Sequence, residues 1–143
     1  PYDPDGLLNP IWVNSRGAIA RFDRGSIEIR IMDCQESPAA DLAIVVLVIE
    51  TVKALAEGKL AEVEELMRWK TDQLGAVYDR VVEKAGETLI DQADYLSVFG
   101  VTEGRATVQE LWTHISGRMA ALPGSQLPQH KSVLDKVLKS GTL

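Results

Sequence analysis

Apolar and polar residues alternate along 26–33. Ile27, Ile29 and Ile31 fall on one side; Ser26, Glu28, Arg30 and Met32 fall on the other. A period of two is that of a β-strand, and this is the clearest strand in the chain. "AIARF" at 18–22 predicts a second strand, and Gly25 between the two allows a turn or bulge. Residues 1–16, rich in Pro, Gly, Asn and Asp, read as loop or short extended segments.

Beyond residue 36 the period lengthens. Ser37-Pro38 predicts an N-cap followed by proline at the first helical position, with Asp41 near the positive end of the helix. The helix is expected over 38–57, stopped by Gly58. Its middle, "LAIVVLVIETV", is β-branched enough for a buried strand, but the cap, the alanines and the length favour a helix. An apolar surface almost all round implies burial on several sides.

From 59 to 85 the three-four spacing of Leu60, Val63, Leu66, Met67, Leu74, Val77, Tyr78, Val81 and Val82 predicts amphipathic helix, ended by Gly86. Residues 88–99 read as a short helix and a turn. Thr107 caps an expected helix over 108–121, with Val108, Leu111, Trp112, Ile115 and Met119 inward, closed by Pro123-Gly124. A last helix is expected over 129–139.

The fold class is therefore α+β: a few antiparallel strands within 1–36, then four or five packed helices over 37–143. Two or three strands alone make a weak sheet with open edges. The chain also begins without an initiator methionine. The expectation is either a single domain or the C-terminal fragment of a larger one.

Composition narrows the function. The 143 residues, 45% hydrophobic and 25% charged, are those of one globular domain. A net charge of −6 with no lysine or arginine cluster argues against nucleic acid as a partner. The single cysteine, Cys34, excludes an internal disulfide and fits a reducing cytoplasm; with two distant histidines it makes no zinc site. The longest apolar run, 42–49, is too short to span a bilayer, and Asp41, Glu50 and Lys53 flank it.

The candidate chemistry lies on the polar face of the alternating strand. Residues two apart there sit about 6–7 Å from each other on one face. The Glu28 carboxylate suits a magnesium ion, and the Arg30 guanidinium can fork onto a phosphate. A solvent-facing strand carrying charges for solubility has the same pattern. Arg21 and Arg24 flank the turn and either reach an anionic ligand or are simply exposed. Asp33 either satisfies turn backbone or holds an arginine, with turn duty favoured. Cys34 lacks a nearby base and reads as a small buried residue. His114 and His130 have no ligand-like companions, and Trp69 and Trp112 read as core. There is no Gly-rich phosphate loop, nucleophile elbow or HExxH.

The stretch "RFDRGSIEIRIMDCQESPAADLAI", 21–44, resembles the glutamate–cysteine ligase type 2 family of carboxylate–amine ligases. More distantly it is similar to the end of the glutamine synthetase catalytic domain, with its Glu-x-Arg strand, Asp, proline-containing loop and Leu-Ala helix start. The matching positions are Glu28, Arg30, Asp33, Pro38 and Leu42-Ala43. "MRWKTDQLGAVYD", 67–79, resembles the family's Arg-Trp…Tyr-Gly-Leu helix at Arg68, Trp69 and Gly75, but Gln73 and Leu74 stand where an arginine and a tyrosine are usual. "DYLSVFG" and "VQELWTHI" also fit the family's tail.

The resemblance implies an ATP- and magnesium-dependent ligase. Such an enzyme phosphorylates a glutamate carboxyl group and lets an amine, such as that of cysteine, displace phosphate. It implies Glu28 as a Mg2+ ligand under the ATP phosphates and Arg30 as the catalytic group holding the transferring phosphoryl group or the substrate carboxylate. Arg24 and Arg21 would belong to the same anion-binding cluster. It implies that the isoleucine face packs on helices, and that further metal-binding carboxylates and the adenine pocket belong to sequence before residue 1. The alternative is a non-enzymatic helical interaction or regulatory module that pairs with another chain; a homo-oligomer suits either.

Overall fold

The computed structural model describes residues 4–7 and 17–140, so most of the loop expected over 1–16 lies outside the described residues. The chain divides into two compact units, Pro1–Cys34 and Gln35–Leu143.

The first unit holds a β-hairpin. Strands β1 (Ala18–Arg21) and β2 (Ser26–Ile29) pair antiparallel, with Ile19 opposite Glu28 and Arg21 opposite Ser26. The turn closes through Arg24 N–H donating to the Arg21 carbonyl at 3.0 Å, and Gly25 takes the left-handed conformation, φ 59°. Glycine adopts that region at little cost. A bond from Arg30 N–H to the Gly17 carbonyl, 2.9 Å, extends the ladder by one step. The strand expected over 26–33 thus ends early. A strand lasts as long as its partner, and β1 begins at Ala18. Ile27 and Ile31 are 59% and 60% exposed, and Ile29 between them is partly buried.

The second unit opens with α1 (Pro38–Ala56). The Ser37 hydroxyl accepts from Ala40 N–H at 3.3 Å, with Pro38 in the first turn. The C-terminus is a Schellman motif: Lys59 N–H reaches the Ala54 carbonyl at 2.8 Å, Gly58 N–H reaches that of Leu55 at 3.2 Å, and Gly58 has φ 68°. Burial of α1 is one-sided. Ala40, Ala43, Leu47, Thr51 and Ala54 form a buried stripe, while Leu42, Val45, Ile49 and Val52 are exposed. The burial on several sides expected from its composition is not found: the buried residues of α1 fall on one stripe.

The helix expected over 59–85 is interrupted. A short α2 (Val63–Leu66) ends in tightened turns, with Arg68 N–H on the Glu65 carbonyl and Trp69 N–H on that of Leu66. The chain restarts as α3 (Thr71–Lys84), where the Gln73 side chain accepts from Lys70 N–H at 3.2 Å. Trp69, in the break, meets Tyr95 edge-on at 5.8 Å, and Tyr95 meets Phe99 at 5.4 Å. Met67, expected inward, is 80% exposed; Val63, Leu74 and Val82 also face solvent.

After a 3-10 turn (Ala85–Glu87) the segment 88–99 holds a two-residue strand β3 (Leu89–Ile90) ahead of the expected short helix, α4 (Ala93–Val98). β3 pairs antiparallel with β4 (Ala106–Thr107), a ladder the sequence did not announce. Helix α5 (Val108–Ala120) begins at a capping box: Glu110 N–H donates to the Thr107 hydroxyl at 3.2 Å, and Thr107 N–H donates to the Glu110 carboxylate at 2.8 Å. Val108, Leu111, Ile115 and Met119 are buried as expected, and Trp112 is half-buried.

Helix α6 (Leu127–Ser140) starts two residues before the expected position. Side chains of other helices hold both its ends. Glu50 of α1 accepts from the Ser125 hydroxyl at 2.6 Å and from Gln126 N–H at 2.7 Å. The Gln109 side-chain amide of α5 donates to the last-turn carbonyls of Leu138 and Lys139. A carboxylate at the N-terminus and a donor at the C-terminus match the polarity of the helix. The core between α1, α5 and α6 includes Leu47, Ile115, Met119, Leu127 and Leu134.

Candidate functional site

The register of the hairpin sets the geometry of the candidate site. Side chains of Ile19, Arg21, Ser26, Glu28 and Arg30 share one face, because pairing puts Arg21 opposite Ser26 and period two carries Glu28 and Arg30 to the same side. Glu28 lies between two arginines. Its Oε1 accepts from Arg30 Nε at 2.8 Å, and its Oε2 accepts from Arg21 Nη1 at 2.8 Å. Arg21 is held again from its other edge by Asp23, whose carboxylate takes Nε and Nη2 at 3.1 Å each. That bidentate grip fixes the guanidinium plane. Arg24 touches Asp23 more loosely, Nε to Oδ2 at 3.6 Å, and is mostly exposed.

These neighbours tune the charges. Arg30 first, then Arg21, hold the Glu28 carboxyl below its ordinary value. Arg21 does the same to Asp23. Asp23 first, then Glu28, hold the Arg21 guanidinium above its usual value. The side chains of Arg21 and Arg30 are 21% and 23% exposed, so the cluster is neither a free solvent fringe nor sealed from a ligand.

The candidate residues therefore divide. Glu28, Arg30 and Arg21 come together; Arg24 stays at the rim. Asp33 Oδ1 accepts from Cys34 N–H at 2.8 Å. Cys34 itself, expected buried, is exposed, since it follows β2 beyond the end of the ladder. His114 Nε2 lies 3.0 Å from the Phe99 carbonyl, a structural contact. Tyr95 has its phenol pushed up by burial and belongs to the aromatic cluster. The residue that sequence reasoning missed is Asp23. Its signal was present: an acidic residue between two arginines, two positions after Arg21, in a turn.

A magnesium ion needs several oxygen ligands. Glu28 is a hard, ionised donor, but both its oxygens are engaged by arginines. Among the described residues no group of three or more His, Cys, Asp or Glu is placed to hold a metal. The hairpin thus offers one ligand and does not make a cation site by itself.

The second unit has a surface cleft of ≈ 270 Å³ bordered by Ile49, Glu50, Lys53, Glu57, Lys59 and Leu122. Its charges are internally spent: Lys59 pairs with Glu57 at 2.6 Å, and Glu50 caps α6. Among the described residues no helix is long and apolar enough to cross a membrane.

No protein-family model matches the chain, and no solved structure matches it. An uncharacterized protein of Archaeoglobus fulgidus is 36% identical over 81 residues, covering 53% of this chain and 22% of that protein. The chain thus spans about a fifth of the length of that relative.

Proposed function

We propose that this chain is the C-terminal part of an ATP-dependent carboxylate–amine ligase, similar to glutamate–cysteine ligase, with a glutamine synthetase-like catalytic domain. The observation that carries the proposal is the Arg21–Glu28–Arg30 cluster on one face of the hairpin, within the segment that resembles that family. Phosphorylation of a carboxyl group concentrates negative charge, and fixed guanidiniums stabilise it without reorganising. Arg30 would hold the transferring phosphoryl group or the glutamate carboxylate. Arg21, braced by Asp23, would hold the same anion from the second side, and Arg24 would add positive potential at the rim. Glu28 would give one ligand to Mg2+, with the remaining ligands supplied by other strands. When bound, magnesium supplies charge neutralisation at the ATP phosphates. Glutamate and an amine such as cysteine are the expected substrates, and the reducing cytoplasm the expected setting.

The test is calorimetric titration of the chain with ATP and magnesium. Binding that Arg30→Gln removes supports the proposal. Nucleotide binding that survives Arg30→Gln combined with Arg21→Gln overturns it. The chain alone is expected to show no ligase turnover, since one carboxylate does not make the metal site; measured turnover would contradict that.

A second function is favoured by one observation, the exposed apolar stripe Leu42, Val45, Ile49 and Val52 on α1. Such a stripe suits a non-enzymatic module that pairs its helix with another chain. Sedimentation of the chain, beside a Val45→Glu, Ile49→Glu variant, separates the two: an associating species that the variant dissolves favours the module.

A further inference from the structure

Strand β2 has one neighbour, β1; among the described residues no strand pairs along its other edge. A free edge presents unpaired N–H and C=O groups, and a two-stranded hairpin alone is marginally stable. Such edges are commonly blunted by lysine, proline or a bulge. Ser26–Ile29 carries none of these, and its register with β1 is regular. Ile27 and Ile31, on its apolar face, stand largely exposed. The opposite edge, that of β1, brings only Ala18 and Ala20 to the same face.

One bond tells which backbone groups point outward. Arg30 N–H donates to the Gly17 carbonyl at 2.9 Å. Hydrogen-bonded and open pairs alternate along an antiparallel ladder. The backbone of Glu28 and Arg30 therefore points into the hairpin, and that of Ile27 and Ile29 points to the free edge. A second copy of β2, running antiparallel, matches this edge with its own: isoleucine backbone meets isoleucine backbone, and the apolar faces fall on the same side.

Charge selects among the registers. A two-fold axis at Glu28 sets Glu28 against Glu28. One at Arg30 sets Arg30 against Arg30, and one at Ile27 brings Arg30 opposite Arg24. An axis at Ile29 sets Glu28 of each copy against Arg30 of the other, with Ile27 against Ile31 and Ile29 against Ile29. Like charges directly opposite weaken a sheet, whereas opposite charges strengthen it. The bend at Ile31 ends the ladder there. We propose that β2 pairs with β2 of a second copy about a two-fold axis at Ile29, joining two hairpins into one four-stranded antiparallel sheet. This goes beyond the ligase reading and does not depend on it. It also uses a different surface from the apolar stripe of α1.

Hydrogen exchange of the natural chain, followed by NMR at rising chain concentration, is the first test. The Ile27 and Ile29 amides, which face away from β1, are expected to slow at least about tenfold from the micromolar to the millimolar range. Sedimentation equilibrium of two charge variants is the second. Glu28→Arg and Arg30→Glu each set like charges opposite and are expected to weaken self-association at least about tenfold. An equal mixture of the two restores opposite pairs and is expected to recover it. Exchange at Ile27 and Ile29 that ignores concentration overturns the proposal, whether or not the variants fold. A dimer that both variants keep at full strength also overturns it and moves the contact to another surface, the α1 stripe first. In either case the nucleotide titration decides the ligase reading by itself.

Discussion

Ala85 is the one described non-glycine residue with positive φ, at φ 46° and ψ −130°. An L-residue there is strained by about 1–3 kcal/mol. The conformation lets the chain leave α3 and enter the turn to β3, and the glycine that would suit it stands one position later, at Gly86. Replacing Ala85 by glycine relieves the strain and adds some freedom to the unfolded chain. The expected net is a gain of about 1 kcal/mol, seen as a higher urea midpoint with unchanged slope. A loss would mean that the turn is not strained at this residue. Glu110 offers a pH test. Its carboxyl is held below the ordinary value by the Thr107 backbone N–H first, then by the Thr107 side chain. A lowered folded value means that its contribution is present above the ordinary carboxylate range and lost as pH falls through the folded value. Between about pH 7 and about pH 3, Glu110→Gln is expected to lose less stability than the natural chain. An equal loss in both would show that the capping box is not linked to acid unfolding.

Local chemistry was legible at the scale of single elements, and distant contacts were not. Ser37-Pro38 and Thr107 announced two helix starts because a cap is made by residues within one turn. The period of two placed Glu28 and Arg30 on one face. The arrival of Arg21 beside them depends on a pairing register set by the turn at 22–25, which the pattern of either strand alone does not contain. The break between α2 and α3 fails the same way: the apolar spacing runs on through it, but Trp69 is drawn to Tyr95, far along the chain. The β3–β4 ladder consists of two-residue strands, too short for any periodicity. The early start of α6 is likewise made elsewhere, by Glu50 on α1. Glu50→Ala leaves the Ser125 hydroxyl and Gln126 N–H without their acceptor and is expected to cost about 2 kcal/mol in chemical denaturation. Glu50→Gln keeps an acceptor oxygen and is expected to recover part of that. Equal losses in both would indicate that shape, not hydrogen bonding, is what the side chain supplies.

For the whole molecule, the contact between Glu50 and Ser125 joins residues 75 apart in sequence. The hairpin and the capped helix starts close short loops, whereas α1 and α6 must meet across most of the helical unit. Closing so long a loop costs chain entropy before any packing repays it, and contacts of this kind slow folding. The α1–α6 seam is therefore expected to form after the transition state. In stopped-flow kinetics, Glu50→Ala should leave the folding rate nearly unchanged and speed unfolding by the full loss of stability. A slowed folding rate would instead put the seam in the nucleus. With the seam formed late, the last helix governs the lifetime of the folded unit: how long the chain resists a protease or a warm buffer is decided by how firmly one glutamate on α1 holds the first turn of α6.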